Sequence, residues 1–326
     1  MTRPTTAVRD AVSKYRGDVV LLGAGGKMGP SLAELLVRAG AAEGGRRVIG
    51  VARFSDAAAR ARLDHLGVTT VRADLLDGSL AALPEAAHVF LLAGFKFGAH
   101  GDPCATWAVN GLLPARAVER YGGAEICYVS SGNVYAFTSV DGRGASESDP
   151  TGPVGEYAQS RLGGERLAEH AARTSGARLF TARLFYATEL RYGILHDIAW
   201  RVWSGEPVEL DMGHVNQIWQ GDANAYLARS FPLCTSPPTT LNLTGSEVLS
   251  VRRLAERFGE LLHREPRFVG HESETALLGD NSALRERLGP PDTPIDTVVE
   301  WMARWVEAGG ASLGKPTRYE SRTGAF

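Results

Sequence analysis

The order of apolar runs and helical stretches in the first 188 residues constrains the fold more than any other feature. Short strand-like runs, among them "DVVLLGAG", "RRVIGVAR" and "HVFLLAG", alternate with stretches of helical periodicity such as "MGPSLAELLVRAG". This alternation predicts an α/β fold with a doubly wound parallel sheet, helices on both faces and right-handed crossovers. After about residue 188 the rhythm changes, which predicts a smaller α/β lobe over residues 189–326, with some segments returning to the sheet.

A glycine-rich loop joins the first strand to the first helix. In "LLGAGGKMG" the glycines follow the spacing G-x-x-G-x-x-G, with one extra glycine. Backbone N–H groups of such a loop can approach a pyrophosphate, and the following helix amino terminus adds partial positive charge. Residues 1–188 are therefore predicted to be a Rossmann-type dinucleotide-binding domain, and the alternative is a glycine-rich turn without a ligand. The predicted contacts in this loop are Gly23, Gly25, Gly26, Lys27, Met28 and Gly29.

The ends of the second and third strands indicate which dinucleotide is preferred. NAD-binding folds usually carry an acidic residue after the second strand, which accepts from the ribose 2′-OH. Here "GVARFSD" has Arg53 and Ser55, which would complement a 2′-phosphate, whereas Asp56 comes late and suits a helix cap. We therefore favour NADP over NAD. In "ADLLD", Asp74 beside Leu75 could accept from the adenine amino group, or it could cap the strand end.

Hydroxyl and cationic side chains follow the fifth strand. "YVSSGNVY" brings Ser130 and Ser131 to the carboxyl edge of the sheet, where open α/β sheets bind ligands. In "GEYAQSRLGGERLAEH", Tyr157 and Arg161 lie one helical turn apart. An ordinary phenol has a pKa near 10, and lowering it by about three units corresponds to roughly 4 kcal/mol, which a close cation can help supply. These residues predict a reaction site in which Ser131 holds a substrate oxygen and Tyr157 exchanges a proton with it.

Taken in order, these motifs resemble the extended short-chain dehydrogenase/reductase family of NAD(P)-dependent epimerases and dehydratases. The resemblance covers nearly the whole chain. It implies that Ser131 and Tyr157 are the catalytic serine and tyrosine, and that Arg161 stands where the family has lysine in Y-x-x-x-K. It further implies cofactor contacts from Leu92, Ala93, Gly94, Asn110, Tyr157 and Arg161.

Arginine in the place of the family lysine leaves two readings open. Arg161 keeps a permanent charge and hydrogen-bond donors, but it cannot release a proton. The chain is therefore expected to be an NAD(P)-dependent oxidoreductase or epimerase that interconverts C–OH and C=O on a sugar-like or other polar carbonyl substrate. The alternative is a non-catalytic NAD(P)-binding regulatory or scaffold protein. Lys96, in "LLAGFKFGAHGDP", could supply a second cation or an exchangeable proton, or be a solvated loop lysine; His100 follows in the same loop.

Substrate selection is expected from the second lobe and from the loops over the cleft. The segment "HVNQIWQGDAN" offers amides and an indole, which suit a neutral polyhydroxylated ligand at least as well as a nucleotide sugar. Trp219 could equally be core packing. The final stretch "GKPTRYESRTGAF" is expected to lie along the surface. The predicted substrate contacts are Ser131, Gly132, Asn133, Tyr186, Arg191 and Trp219.

Charge and cysteine content exclude several other classes of protein. The formal net charge is −2, and the dispersed basic residues argue against nucleic-acid or membrane-surface partners. No apolar run approaches the roughly 18 residues that a membrane span needs. The three widely spaced cysteines (Cys104, Cys127, Cys234) predict reduced thiols in a cytoplasmic protein, and no metal site is expected. Resemblance to the family implies a homodimer through the helices in "CATWAVNGLLPARAVERY" and from Tyr157 onward.

Overall fold

The computed structural model describes residues 1–96, 98–99 and 101–324. The described strands are β1 (Val19–Leu22), β2 (Val48–Ala52), β3 (Thr69–Arg72), β4 (His88–Leu91), β5 (Glu125–Ser131), β6 (Thr138–Ser139), β7 (Arg178–Leu184), β8 (Tyr186–Thr188), β9 (Pro207–Glu209), β10 (His214–Val215), β11 (Gln217–Trp219), β12 (Thr239–Leu243), β13 (Leu249–Ser250), β14 (Arg267–Val269) and β15 (Thr275–Ala276). The described α-helices are α1 (Thr6–Val12), α2 (Gly29–Arg38), α3 (Ala57–His65), α4 (Pro103–Trp107), α5 (Leu113–Arg120), α6 (Gly155–Ser175), α7 (Ile194–Ser204), α8 (Gln220–Ala228), α9 (Val251–Leu262), α10 (Ser282–Leu288) and α11 (Ile295–Glu307).

Two compact units interleave along the chain. The first comprises Met1–Ser130, Gln159–Arg183 and Asn224–Leu241, and the second comprises Ser131–Ala158, Leu184–Ala223 and Asn242–Phe326. The functional division at residue 188 stays a prediction. None of the helices that the structure describes is long and apolar enough to cross a membrane.

A seven-stranded sheet organises the first unit, in the order β12-β7-β5-β4-β1-β2-β3. The pairs β1–β2, β2–β3, β1–β4 and β4–β5 are parallel. This arrangement confirms the predicted Rossmann-type α/β fold. Strand order reverses between β1 and β4, and a reversal of this kind opens a crevice at the carboxyl ends of the strands. The glycine loop after β1 lies at that reversal.

Apolar strand residues bury both faces of the sheet. The β1 and β4 strands are buried throughout, as their continuous apolar runs predict. On one face, strand residues such as Val20 and Val89 share a core cluster with helix residues such as Leu113 of α5 and Ala168 of α6. Small residues of α6, Ala168, Ala171 and Ala172, pack against the sheet in this cluster.

Two predicted elements have a different form in the structure, and a third agrees with its prediction. The sequence of "ARLFTARLFYA" predicts one strand. The structure has two, β7 and β8, because the strand is interrupted at Phe185 and β8 pairs with β11 in the second unit. The strand-like run "TTLNLTG" forms β12, which joins the central sheet, as expected of a segment that returns to it. The predicted helix around Asn110 contains a π-helical turn, Ala108–Leu112, between α4 and α5. Such turns insert one extra residue and often occur at functional sites.

Helices α7, α9 and α11 build the core of the second unit. Their buried residues, including Ile198, Phe258 and Met302, form one cluster. Tyr319 belongs to the same cluster and is only 1% exposed, and Thr317 is also buried. The prediction that this last stretch lies along the surface is therefore wrong, because a tyrosine and a threonine anchor it in the core.

Candidate functional site

The glycine loop has the close backbone contacts that its spacing predicts. Gly23 has φ +96°, and a Cβ there would lie 2.6 Å from Ala93 N, so only glycine lets β1 end against the loop after β4. A Cβ at Gly29 would overlap the carbonyl group of Ala24. Gly25 and Gly26 are exposed, and the Gly26 N–H closes a tight turn onto Gly23 O at 3.0 Å. The loop thus presents exposed backbone without side chains in front of it.

Helix α2 begins directly after this loop and has no side-chain cap. Its N-cap residue Met28 makes no side-chain hydrogen bond to the first turn, and Pro30 occupies a first-turn position. An uncapped amino terminus beside a glycine cradle is a site that favours an anion. These observations fit the pyrophosphate of a dinucleotide.

After β2 and β3, two aspartates cap local structure and two other polar side chains are exposed to solvent. Asp56 caps α3 by accepting from Ala58 N at 2.9 Å, which confirms the helix-cap interpretation. Arg53 is exposed and makes no hydrogen bond or ion pair with another described residue, and Ser55 is exposed beside it. The Asp74 carboxylate accepts from Leu76 N at 3.0 Å, so it caps its own turn.

Asn110 clamps the loop that follows β4. Its side-chain oxygen accepts from Phe95 N and its amide donates to Phe95 O, both at 2.8 Å, while the same amide reaches Ser160 Oγ at 3.1 Å. The residue is fully buried in the π-helical turn. Asn110 therefore ties the loop with Leu92, Ala93 and Gly94 to helix α6, in agreement with a role in holding geometry.

Arg161 lies at the carboxyl ends of β4 and β5. It is 3% exposed, and its guanidinium donates to Ala93 O at 3.4 Å and to Val129 O. A Cβ at Gly94 would lie 3.0 Å from Arg161 Nη1, so the absence of a side chain there makes room for the guanidinium. Its Nε is buried and has no partner among the described residues. The charge at the Y-x-x-x-R position is thus fixed to the sheet by backbone carbonyl groups.

A buried ion pair that the sequence analysis missed lies one turn further along α6. Glu165 accepts from Ser130 Oγ at 2.5 Å and pairs with Arg183 Nη2 at 2.7 Å, and all three residues are buried. Buried charges of this kind persist only when they are paired and hydrogen-bonded. The sequence contains one indication of this pair, because Glu165 is four residues after Arg161 and so lies on the same face of the helix. The Ser130 hydroxyl therefore donates to a buried ion pair inside the first unit.

Ser131 forms a local hydrogen-bonded turn in the second unit. Its hydroxyl lies 3.0 Å from Asn133 Oδ1 and accepts from Asn133 N at 3.2 Å. A Cβ at Gly132 would lie 2.6 Å from the Phe185 ring, so the glycine is required for this close approach. The predicted substrate residues Ser131, Gly132 and Asn133 thus form one rigid turn at the end of β5.

Three tyrosines of the second unit interact with one another. Burial is the main cause that raises the pKa values of Tyr186 and Tyr192, and the neighbouring Tyr157 phenol raises both further. Tyr186 and Tyr192 therefore stay neutral, and Tyr157 lies within electrostatic reach of both. Tyr186 also lines a cavity of about 10 Å³ that Asn133 shares, which is room for a single water.

Other predicted substrate residues have partners of their own. Arg191 pairs with the buried Glu189 carboxylate at 2.9 Å. Trp219 is buried and packs edge-on against Trp301, with ring centroids 5.4 Å apart, which favours the core-packing alternative. Lys96 is half-buried, and His100 lies outside the described residues. Among the residues described, no group of three or more His, Cys, Asp or Glu could hold a metal ion.

Comparison with family models decides the affiliation. The model of the NAD dependent epimerase/dehydratase family matches residues 19–188, from the start of β1 to the end of β8. The chain belongs to this family of NAD-dependent enzymes. A comparison with curated proteins found no significant match.

Solved structures of epimerases have the same fold as this family member. UDP-glucuronic acid 4-epimerase from Bacillus cereus, in complex with NAD, is 16% identical with a TM-score of 0.74, over 89% of this chain and 99% of that chain. MoeE5 in complex with UDP-glucuronic acid and NAD is 21% identical with a TM-score of 0.74, over 90% and 100% of the two chains. Epimerase Mth375 from Methanothermobacter thermautotrophicus is 19% identical with a TM-score of 0.76, over 95% and 100%.

Proposed function

We propose that this epimerase/dehydratase family member interconverts C–OH and C=O groups on a sugar-like or other polar carbonyl substrate. The observation that carries the proposal is the turn at the end of β5, in which Asn133 orients the buried Ser131 hydroxyl. A hydroxyl held in one orientation suits recognition of the hydroxyl and carbonyl oxygens of a substrate. The net reaction is an epimerisation or dehydration, or a net oxidation or reduction, since the same proton transfer serves all of them.

Tyr157 is the residue proposed to transfer the proton, and Ser131 is the residue proposed to hold the substrate oxygen. In the oxidative direction the Tyr157 phenolate takes the proton of the substrate hydroxyl, and in the reductive direction the phenol returns a proton to the oxygen. The Ser131 hydroxyl, already oriented by Asn133, would hold that oxygen. Bound NADP or NAD would supply or accept the hydride. The glycine loop, Arg53, Asp74 and the 92–94 loop are the residues proposed to hold the cofactor.

Arg161 is proposed to supply fixed positive charge without proton transfer. Its guanidinium is held by Ala93 O and Val129 O, so the charge cannot move away. It would donate to ribose hydroxyls of the cofactor, but a guanidinium does not lose a proton in proteins. Lys96 is the residue proposed to provide an exchangeable proton, and Lys96→Met should lower turnover while cofactor affinity stays unchanged.

NADP is the cofactor we favour, because Arg53 is exposed and uncommitted whereas Asp56 is used as a helix cap. A fluorescence titration with NADPH and NADH measures the preference directly. Arg53→Ala should weaken NADPH binding about tenfold or more and leave NADH unchanged, since one charged hydrogen-bond partner is lost. Arg257→Ala, on the exposed face of α9, controls for net charge. Tighter binding of NADH by the wild type would contradict the preference.

A neutral polyhydroxylated substrate, such as a free sugar or a sugar-derived acid or lactone, is favoured over a nucleotide sugar. Glu189 neutralises Arg191, so this arginine is poorly suited to hold a diphosphate. Both classes belong in one turnover panel, because related folds have been solved with UDP-glucuronic acid. Turnover of UDP-sugars alone would reverse this preference.

Tyr157→Phe tests catalysis against the non-catalytic alternative. Loss of the phenol should abolish turnover, at least a hundredfold, while cofactor binding persists. The commitment of Arg161 to backbone carbonyls is the observation that favours a scaffold or regulator. Retained cofactor binding without any wild-type turnover on the panel would favour that alternative.

A homodimer is proposed through the helices that the family resemblance indicates. Trp107 and Leu112 are each 41% exposed and Leu167 on α6 is 45% exposed, an apolar surface that suits a second copy. Leu167→Glu should shift sedimentation to the monomer, whereas Val269→Glu, at 44% exposure elsewhere, should not. A cytoplasmic location stays a prediction from the cysteines.

A further inference from the structure

The segment from Thr317 to Gly324, here called the 317–324 segment, is held in the second unit by side chains along its length. Thr317 donates from both N and Oγ1 to the Asp197 carboxylate of α7, at 2.7 and 2.6 Å. Tyr319 is buried in the core. Arg322 donates to Thr275 O and Thr275 Oγ1, both at 2.7 Å. Side chains at three positions of the segment thus anchor it within the second unit.

The last residue of this segment crosses the start of α6. A Cβ at Gly155, the first residue of α6, would lie 2.6 Å from Gly324 O. A Cβ at Gly324 would overlap the carbonyl of Val154. Both glycines have positive φ, +81° and +70°. Two glycines at a single crossing, two residues before Tyr157, let the two backbones touch without side chains between them.

The same segment also reaches the cavity beside the tyrosines. Ser321 and Gly324 line that cavity together with Asn133 and Tyr186. Glu320 is among the groups that raise the pKa of Tyr186, after burial itself. The segment therefore lies against the first turn of α6 and shares a cavity with two predicted substrate residues, Asn133 and Tyr186.

We propose that the 317–324 segment positions Tyr157 by fixing the first turn of α6 through the Gly155–Gly324 crossing. This inference rests on the proposed function of Tyr157 as the proton-transfer residue. The segment residues are positioning residues, since they act through the helix start. Displacing Gly324 would free residues 154–158 to move, and the phenol would lose its alignment with the substrate oxygen.

Matched glycine variants test the crossing. Gly324→Ala introduces a Cβ into the Val154 carbonyl, whereas Gly314→Ala, also at positive φ (+63°), meets nothing within 4 Å. Gly155→Ala similarly overlaps Gly324, whereas Gly176→Ala (φ +74°), just after the end of α6, meets open space. Each pair carries a similar backbone cost, so a difference within a pair reports the crossing itself.

Two measurements keep the failure of this inference distinct from failure of the proposed function. Hydrogen exchange of a peptide covering residues 154–160 should speed up at least tenfold in Gly324→Ala and Gly155→Ala, and stay unchanged in both controls. In turnover assays kcat should fall at least tenfold with a shifted pH profile, while cofactor affinity stays within threefold. Unchanged exchange in both crossing variants, or kcat within twofold of the controls, overturns the proposal.

A wild type without turnover would refute the proposed function, while the exchange data would still decide whether the segment fixes the helix start. Should Gly324→Ala not fold, a chain ending at Arg322 removes Gly324 and keeps the Thr317, Tyr319 and Arg322 anchors. The same exchange and kcat changes are expected of it. Exchange and kcat equal to those of the full chain would overturn the proposal.

Discussion

Replacing Arg161 by lysine should lower the stability of this protein. The Arg161 guanidinium spans two backbone carbonyls, Ala93 O and Val129 O, from inside the first unit. An ammonium group is a point donor and lacks the fork that reaches two strands. Arg161→Lys should therefore lose one hydrogen bond to a charged group, worth about 2 kcal/mol. With about 2.1 cal/mol/K per residue over 326 residues, this loss lowers the Tm by about 3 °C.

Differential scanning calorimetry measures the Tm, and Arg166→Lys supplies the control. Arg166 lies on the same helix, is exposed and pairs loosely with Glu169 at 3.7 Å, so its replacement should change the Tm by less than about 1 °C. The pH dependence of turnover gives a second readout. Burial disfavours the charged form of the introduced lysine, so activity should fall at lower alkaline pH than in the wild type, whose arginine keeps its charge. An unchanged Tm together with an unchanged alkaline limb would refute the bridging role.

Three further perturbations follow from contacts of the first unit. Glu165→Gln leaves Arg183 buried without its counter-charge and should lower the free energy of unfolding by about 3–5 kcal/mol. The control Glu169→Gln, on the surface, should lower it by less than about 1 kcal/mol. Urea unfolding measures both values. Burial, together with the charges of Arg46 and Arg178, lowers the pKa of His88 to about 4. The unfolded chain therefore binds a proton that the folded chain does not, so the free energy of unfolding should fall by up to about 3 kcal/mol as the pH drops from about 6.5 toward 4. In Tm measurements over this pH range, His88→Gln should flatten that dependence. Gly29→Ala should displace the glycine loop from Ala24, lower stability by about 1–3 kcal/mol and weaken NADPH binding at least tenfold in a fluorescence titration.

The parts of the fold that repeat with a strict period could be predicted from the sequence. Strands such as β4 are buried on both faces and so appear as unbroken apolar runs, and α6 and α9 have clear helical signals. The break at Phe185 could not be predicted, because the local sequence stays strand-like and only the tertiary pairing of β8 with β11 separates it from β7. Propensity describes one strand, whereas pairing depends on residues far along the chain.

The sequence predicted which residues could form the candidate site, but it did not predict the hydrogen-bond partners of most of them. Asp56 capped its helix as its position indicated, because capping is a local interaction. The engagement of Arg161 with Val129 O and of Ser130 with Glu165 joins residues more than 30 apart in sequence. The anchoring of Tyr319 is of the same long-range kind. Local sequence patterns predict helices and strands, but they do not indicate which distant residue each of these side chains will contact.

The neighbouring serines at the end of β5 have different hydrogen-bond partners. Adjacent strand residues point to opposite sides, so Ser130 and Ser131 cannot share an environment. Ser130 donates to Glu165, whose charge is balanced by Arg183, and this fixes the strand end from within. The Ser131 side chain consequently points to the opposite side of the strand, where its hydroxyl donates to Asn133 Oδ1. Removing the Glu165 charge should therefore reduce turnover as well as stability, because the orientation of Ser131 depends on what holds Ser130.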